Sequence, residues 1–273
     1  MGYKNTRHVL GLSGGKDSAA LAVYLHDKIP DIEYFFCDTG CELPETYEFL
    51  ERLKARIGIE ITYLNQELIP NDDPEAIFKH WLTIYNGFLP SAKARWCTKQ
   101  LKIIPLEKFI GDDETISYIA IRSDEDRNGY ISSKDNINPA FPFKKDGIAK
   151  RDVFRILAES GIGMPKYYEW RSRSGCYFCF FQRKIEWLGL HDNHPDLFEK
   201  AARYESKHSD GRKFTWNDNE SLLELLERRD KIIDEHKKLE ARLKKETPNK
   251  KLIDVLSALD KDEGIRPCAV CHY

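Results

Sequence analysis

The hexapeptide from Ser13 to Ser18, Ser-Gly-Gly-Lys-Asp-Ser, constrains the fold most, because it separates a strand pattern from a helix pattern. Residues 8–12 are apolar and predict a short buried strand, whereas residues 16–28 place apolar side chains at helical spacing. The alternation continues with a strand predicted at 32–36, a helix at 44–57 and a strand at 59–64. This β-α-β-α-β order is typical of a parallel sheet covered by helices.

The rest of the chain divides into a mixed part and a helical part. The patterns predict helices at 73–85, 98–109 and 151–160, a strand at 116–121, and a long polar loop at 123–150. No strand pattern follows residue 190. We therefore predict an α/β domain over residues 1–190 and a helical C-terminal extension over residues 191–273.

The overall composition excludes several classes of protein. Lys and Arg total 43 against 45 Asp and Glu, so any surface that binds nucleic acid must be local. No run of about 18 apolar residues predicts a membrane-spanning helix, and the first residues lack a secretory signal. We expect a cytoplasmic protein, in which seven cysteines favour metal, cluster or redox chemistry over structural disulfides.

The Ser13–Ser18 loop lies where a chain best receives an anion, between a strand and a helix. The start of a helix offers unpaired backbone N–H groups and the positive end of the helix dipole. Two glycines let the backbone approach phosphate oxygens closely, and Lys16 adds a positive charge. The spacing differs from that of a Walker A loop. The alternative is a glycine-containing turn whose polar residues only cap the helix.

The Ser13–Ser18 loop resembles the PP-loop of ATP pyrophosphatases, and the whole chain is similar to the phosphoadenosine phosphosulfate (PAPS) reductase family. The resemblance runs in order from residue 8 to about residue 185. The further segments that carry it are Asp38-Thr39-Gly40 with Pro44-Glu45-Thr46, Arg95-Trp96-Cys97 with Lys102 and Pro105, Ile121 to Arg127, and Gly175-Cys176-Tyr177-Phe178-Cys179. It implies a Rossmann-like, five-stranded parallel sheet of the adenine nucleotide α-hydrolase-like (HUP) type, with helices on both faces.

The same resemblance implies a site for ATP and Mg²⁺. The implied nucleotide-binding residues are Ser13, Gly14, Gly15, Lys16, Asp17, Ser18, Asp38 and Thr39, and the implied catalytic residues are Lys16, Asp17, Ser18, Arg122 and Arg127. Asp17 either caps the first helix or helps to hold Mg²⁺. Asp38 either binds Mg²⁺ or ribose, or caps the next turn. Arg122 and Arg127 either clamp phosphate by bidentate contacts or form surface ion pairs.

Lys16 separates this chain from true PAPS reductases, whose loops lack the lysine and which do not cleave ATP. The loop combined with cysteines resembles DNA phosphorothioation sulfurtransferases of the DndC and SspD type. This likeness implies an ATP-dependent sulfurtransferase with DNA or another nucleic acid as acceptor, a cysteine desulfurase as sulfur donor, and other defence-system subunits as partners. The alternatives are reduction of PAPS or adenylyl sulfate, tRNA thiolation, and a non-catalytic ATP-sensing subunit.

Three cysteines, Cys97, Cys176 and Cys179, correspond to cluster positions of the reductase-like family. Three thiolates are consistent with a [4Fe–4S] cluster that has one open iron. The alternatives are zinc and reduced thiols that bind nothing. Cys268 and Cys271 form a second CxxC, which carries a persulfide, supplies a fourth ligand, binds zinc or is an incidental pair in an exposed tail.

Two further features remain from the sequence. Cys37 is predicted to be a buried strand residue, and the role of Cys41 stays open. From Arg228 to Lys251 there are ten Lys or Arg against five Asp or Glu, a local excess of five positive charges. Such a stretch either contacts nucleic acid or is a solvated helix face.

Overall fold

A five-stranded parallel sheet forms the centre of the protein. The computed structural model describes residues 6–70, 72–126, 134–207, 213–217 and 220–246. Arg127, Cys268 and Cys271 lie outside the described residues. The strands are β1 (Arg7–Leu12), β2 (Ile32–Cys37), β3 (Ile61–Leu64), β4 (Thr115–Tyr118) and β5 (Ile137–Ala140), in the order β3-β2-β1-β4-β5. Every pairing is parallel, which confirms the predicted fold class.

Helices connect the strands and follow them. They are α1 (Lys16–His26), α2 (Pro44–Ile57), α3 (Ala76–Ile84), α4 (Trp96–Thr98), α5 (Ile104–Ile110), α6 (Pro142–Lys145), α7 (Lys150–Glu159), α8 (Lys184–Asn193), α9 (Pro195–Tyr204), α10 (Leu222–Glu227) and α11 (Arg229–Glu246). Short 3₁₀ turns occupy Gln66–Leu68 and Lys166–Glu169. No helix within the described ranges is long and apolar enough to cross a membrane.

Both faces of the sheet are buried. Successive strand residues point to opposite faces, so they belong to two different clusters. Leu10 and Leu12 pack in one cluster with residues of α1, α2 and α7. Val9 and Phe35 pack in another cluster with residues of α5. Helices therefore cover both faces, and the loops at the carboxyl ends of the strands are left to form a site.

A third hydrophobic cluster joins the cysteine-containing segments to the C-terminal helices. The Phe178 ring lies 4.3 Å from the Phe78 ring and stacks on Trp216 at 5.0 Å, measured between centroids. Trp187 of α8 is fully buried in the same cluster. Phe178, which lies between Cys176 and Cys179, is thus packed against aromatic residues from before and after it in the chain.

One strand and one antiparallel pair of strands depart from the sequence predictions. Strand β5 lies inside the stretch predicted as a polar loop. It was not predicted because its Ile-Asn-Pro-Ala sequence has no alternating pattern. Pro139 is tolerated because β5 is an edge strand. The C-terminal part is helical, as predicted, but it also contains an antiparallel pair, β6 (Ser206–Lys207) and β7 (Lys213–Phe214). Two-residue strands are too short to give a pattern.

The helical segment that follows Cys97 contains a π-helical turn at Lys99–Ile103. Pro105 has no N–H group, so the carbonyl oxygen of Leu101 loses the donor that an α-helix would supply. The Asn65 side chain replaces it, because its Nδ2 donates to Leu101 O at 3.0 Å and to Asp38 O at 3.0 Å. The turn therefore ties this helix to the end of the sheet.

Candidate active site

The predicted phosphate loop lies at the point where the strand order reverses. β1 is flanked by β2 on one side and β4 on the other, and the connections leave in opposite directions. The loop after β1 begins at Ser13, and Arg122 lies in the segment that follows β4. In open α/β sheets, the crevice at this position is where ligands bind. The two segments meet directly, because Arg122 contacts Asp17 of α1.

Both glycines of the loop are required by close neighbours. Gly14 has a φ of 68°, and a Cβ there would lie 2.3 Å from Thr46 Cγ2. A Cβ at Gly15 would lie 2.7 Å from Ser174 Oγ. The backbone is also braced from within, since Ser13 N donates to Ser18 Oγ at 3.0 Å and Ser18 Oγ donates to Gly15 O at 3.2 Å. This is a preformed loop without side-chain bulk, as phosphate binding requires.

Asp17 is held between two cations. Its Oδ2 lies 2.6 Å from Lys16 Nζ, and its Oδ1 accepts from Arg122 Nη1 at 2.9 Å. All three side chains are at most 10% exposed. Burial alone lowers the pKa of Lys16 and of Arg122, but the Asp17 carboxylate outweighs it, so both pKa values are raised. The Lys16 ammonium and the Arg122 guanidinium therefore stay charged at any physiological pH.

These contacts revise two predictions. Arg122 forms a buried ion pair with Asp17 and further pairs with Asp124 and Glu125, so it is not a surface ion pair. Both oxygens of Asp17 are engaged by cations, so in this arrangement Asp17 does not fit the role of a Mg²⁺ ligand. Mg²⁺ binding stays a prediction.

Asp38 and Thr39 follow β2 at the same edge of the sheet. Asp38 Oδ1 accepts from Gly40 N at 2.9 Å and from Tyr47 Oη at 2.7 Å, which is the turn-capping role. Thr39 Oγ1 donates to Glu42 Oε1 at 3.2 Å and lies 3.3 Å from Cys176 Sγ. Thr39, a predicted nucleotide-binding residue, thus contacts Cys176, a predicted metal ligand.

Cys176 and Cys179 share one tight turn. Cys179 N donates to Cys176 O at 2.9 Å. Arg171 holds this turn, since its guanidinium donates to Gly175 O at 3.0 Å and to Cys176 O at 2.8 Å. Burial, with Glu42 nearby, raises the pKa of the Cys176 thiol well above its usual value. These surroundings disfavour the thiolate form of Cys176.

Cys97 lies in α4 and is half-buried against the same hydrophobic cluster as Cys176. Across the part of the chain that the structure describes, no three or more Cys, His, Asp or Glu are grouped so that they could hold a metal ion. Cys97, Cys176 and Cys179 are therefore not a ready-made ligand set in this arrangement. The [4Fe–4S] cluster and its zinc alternative stay predictions.

The other two cysteines in the described part are buried. Cys37 ends β2 and is 1% exposed, as predicted, and Cys41 is 1% exposed. Burial raises the pKa of Cys37 to about 12. Burial also raises the pKa of Cys41 well above its usual value. Both residues contribute to the core rather than to an accessible thiol site.

The raised pKa of Cys37 makes a testable prediction. Alkylation needs the thiolate, and a pKa of about 12 leaves roughly 10⁻⁴ of this thiol ionised at pH 8. Iodoacetamide at pH 8 should therefore modify Cys37 only when urea unfolds the protein, as measured by peptide mass spectrometry. Rapid modification in the native protein would contradict the buried position.

Sequence reasoning missed the segment that covers the loop. Tyr167 Oη donates to Gly14 O at 2.7 Å, and Lys16 N donates to Tyr168 Oη at 3.3 Å. Ser174 Oγ donates to Ser13 Oγ at 3.4 Å. These contacts span about 155 positions of sequence, so no local pattern indicates them. The one available signal is that the three residues lie within ten positions before Cys176.

The described portion of the basic C-terminal stretch forms the helix α11. Several of its charges are paired along or beside the helix, as in Lys238–Asp234 at 2.6 Å and Arg229–Asp192 at 2.6 Å. This pairing is typical of a solvated helix face. Contact of this helix with nucleic acid stays a prediction.

Comparison with known proteins finds a similarity in the N-terminal half of the chain. Residues 7–134 match the family described as the phosphoadenosine phosphosulfate reductase domain. An uncharacterized protein of Methanocaldococcus jannaschii is 29% identical over 222 residues, which are 74% of this chain and 43% of the relative. The adenosine 5'-phosphosulfate reductase of Halalkalibacterium halodurans is 30% identical over 101 residues, which are 37% of this chain and 40% of that protein.

The chain is also similar to a solved structure, and it spans only part of the length of its relatives. The phosphate complex of phosphoadenylyl-sulfate reductase from Candida auris superposes with a TM-score of 0.48 and 12% identity, covering 63% of this chain and 82% of that one. The chain spans less than half the length of the two M. jannaschii relatives that it matches, 43% and 47%. Over residues 7–134, the chain is therefore similar to the phosphoadenosine phosphosulfate reductase domain.

Proposed function

We propose that this protein is an ATP-dependent sulfurtransferase that adenylates an acceptor oxygen and then allows sulfur to replace it. One observation carries the proposal. A phosphate loop that contains Lys16 is bonded through Ser13 to Ser174, and two residues further along the chain Cys176 contacts Thr39 at the end of β2. The predicted phosphate loop and a cysteine thiol are thus linked through one short segment, which supports the proposal.

The first step is attack of the acceptor oxygen on the α-phosphorus of ATP. The bond from this phosphorus to the bridging oxygen breaks, and pyrophosphate leaves. Lys16 and the backbone N–H groups at the start of α1 are the groups that stabilise the negative charge that develops. Arg122 holds Asp17, and through it Lys16, in place.

The second step is displacement of AMP by sulfur. The terminal sulfur of a persulfide, supplied by a cysteine desulfurase, attacks the activated centre, and AMP leaves with the activated oxygen. An external thiol then reduces the remaining disulfide bond and releases the sulfur on the acceptor. For the acceptor we propose a DNA backbone phosphate, on the basis of the likeness of the loop and cysteines to the phosphorothioation enzymes.

Lys16→Ala should lower the rate of pyrophosphate release from ATP by about 10²–10³-fold, since it removes one preorganised positive charge that stabilises the leaving pyrophosphate. The measurement is coupled pyrophosphate detection with purified protein and acceptor. Lys54→Ala is the matched control, because Lys54 is an exposed lysine that pairs only with Glu60 nearby, and it should leave the rate unchanged. Equal rates for wild type and Lys16→Ala would refute ATP cleavage at this loop.

The acceptor is tested separately with the same protein. Wild type is incubated with ATP, a cysteine desulfurase and cysteine, and either DNA or tRNA, and the digested nucleic acid is analysed by mass spectrometry. Phosphorothioate in DNA supports the proposal, whereas thiolated bases in tRNA would establish the thiolase alternative. Reduction of adenylyl sulfate without ATP cleavage would establish the reductase alternative.

A further inference from the structure

The segment Lys166–Cys176, called the strap below, lies over the phosphate loop. Its two tyrosines and Ser174 make the three hydrogen bonds to Gly14, Lys16 and Ser13 given above. Ser13 and Lys16 are each only 7% exposed as a result. The strap therefore closes the loop in this structure.

Tyr168 contacts the first residue of α1 in two ways. Its hydroxyl accepts the N–H of Lys16, the first residue of α1, which has no partner within the helix. The ammonium group of Lys16 also lies 5.5 Å from the centre of the Tyr168 ring. The backbone and side-chain donors of Lys16 thus both face Tyr168.

We propose that the Tyr168 hydroxyl occupies the place of a nucleotide phosphate oxygen, and that nucleotide binding displaces the strap from the loop. The inference rests on the proposed function, because it takes the same loop as the phosphate site. The steric contacts support it. A Cβ on Gly15 would lie 2.7 Å from Ser174 Oγ, so the strap packs directly against the Cα side of the Gly15 backbone and leaves no space there.

Displacement of the strap also moves Cys176. Arg171 braces the second half of the strap, since it bonds the carbonyl groups of both Gly175 and Cys176. When Ser174 leaves Ser13, the braced turn moves with it, and the contact from Cys176 Sγ to Thr39 Oγ1 changes. Occupancy of the nucleotide site is thereby coupled to the position of the thiol.

The first test is the variant Tyr168→Phe, which removes only the hydroxyl. The dissociation constant of α,β-methylene ATP with Mg²⁺, measured by calorimetry, should fall about 3- to 10-fold, because closure of the strap loses one hydrogen bond. Tyr24→Phe is the matched control, because Tyr24 lies on α1, the helix that begins with Lys16. Its hydroxyl donates to Asp146 near the far end of α1, and its loss should leave the constant unchanged.

Weaker binding by Tyr168→Phe would show that the hydroxyl is a nucleotide ligand and would overturn the proposal. Equal binding would overturn it as well, because the hydroxyl would then not compete with the nucleotide.

The second test follows the strap itself. Hydrogen exchange of the amides of Tyr168, Trp170 and Arg171, which donate to Pro165 O and Tyr167 O, should become faster when α,β-methylene ATP binds to wild type. Binding without a change in exchange would overturn the strap proposal and leave the proposed function intact. No binding of the analogue by wild type would overturn both.

Discussion

Arg122→Ala should lower the free energy of unfolding by about 3–5 kcal/mol, because it leaves a buried carboxylate without one of its cations. Arg122 is 8% exposed and contacts three carboxylates, those of Asp17, Asp124 and Glu125. Asp17 is itself only 9% exposed, so water cannot replace the lost guanidinium at low cost. The loss falls on the phosphate loop, where Asp17 is the second residue of α1.

The measurement is urea unfolding of wild type and variant, followed by far-UV circular dichroism. Arg155→Ala is the matched control, because Arg155 also pairs with two carboxylates but is 58% exposed. Its stability should stay within about 0.5 kcal/mol of wild type. If Arg122→Ala were as stable as Arg155→Ala, the buried ion pair would be refuted.

Gly40→Ala should destabilise the protein by more than about 3 kcal/mol. Gly40 has a φ of 68°, which disfavours any side chain, and a Cβ there would lie 1.7 Å from the carbonyl oxygen of Pro74. That oxygen belongs to the backbone, so the clash is relieved only by moving one of two main-chain segments. The segment that includes Asp38 and Thr39 would move with it.

Gly58→Ala separates the two causes of this loss. Gly58 has the same φ of 68°, and a Cβ there meets nothing within 4 Å. It should therefore cost only the backbone strain, about 1–2 kcal/mol. A difference of less than about 1 kcal/mol between the two variants, measured by urea unfolding, would contradict the close approach of Pro74 to Gly40.

The sheet was predictable wherever strands are apolar and helices amphipathic. The apolar residues 8–12 and 32–36 gave β1 and β2 to within a residue or so, and Pro44 marks the start of α2. β5 was missed because Asn138 and Pro139 are poor strand residues. Its position at the edge of the sheet follows from its neighbour β4 rather than from its own sequence.

The site was predictable only where its residues are adjacent in sequence. Ser13 to Ser18 form one loop with a recognisable composition, and the structure places them at the reversal of strand order. The pairing of Asp17 with Arg122 joins residues 105 positions apart, and that of Lys16 with Tyr168 joins residues 152 apart. Such contacts depend on how the loops fold over the sheet, which periodicity does not encode.

The missing N–H of Pro105 has a consequence for the helical segment that includes Cys97. Because the Asn65 amide donates both to Leu101 O and to Asp38 O, the segment cannot slide along its axis without breaking a bond to the sheet edge. The segment with Cys97 is thus anchored, whereas Cys176 belongs to the strap, which we propose to open when nucleotide binds. On this proposal, any change in the distance between Cys97 and Cys176 comes from movement of the strap. Cys97 is then the fixed reference for spectroscopic distance measurements across the site.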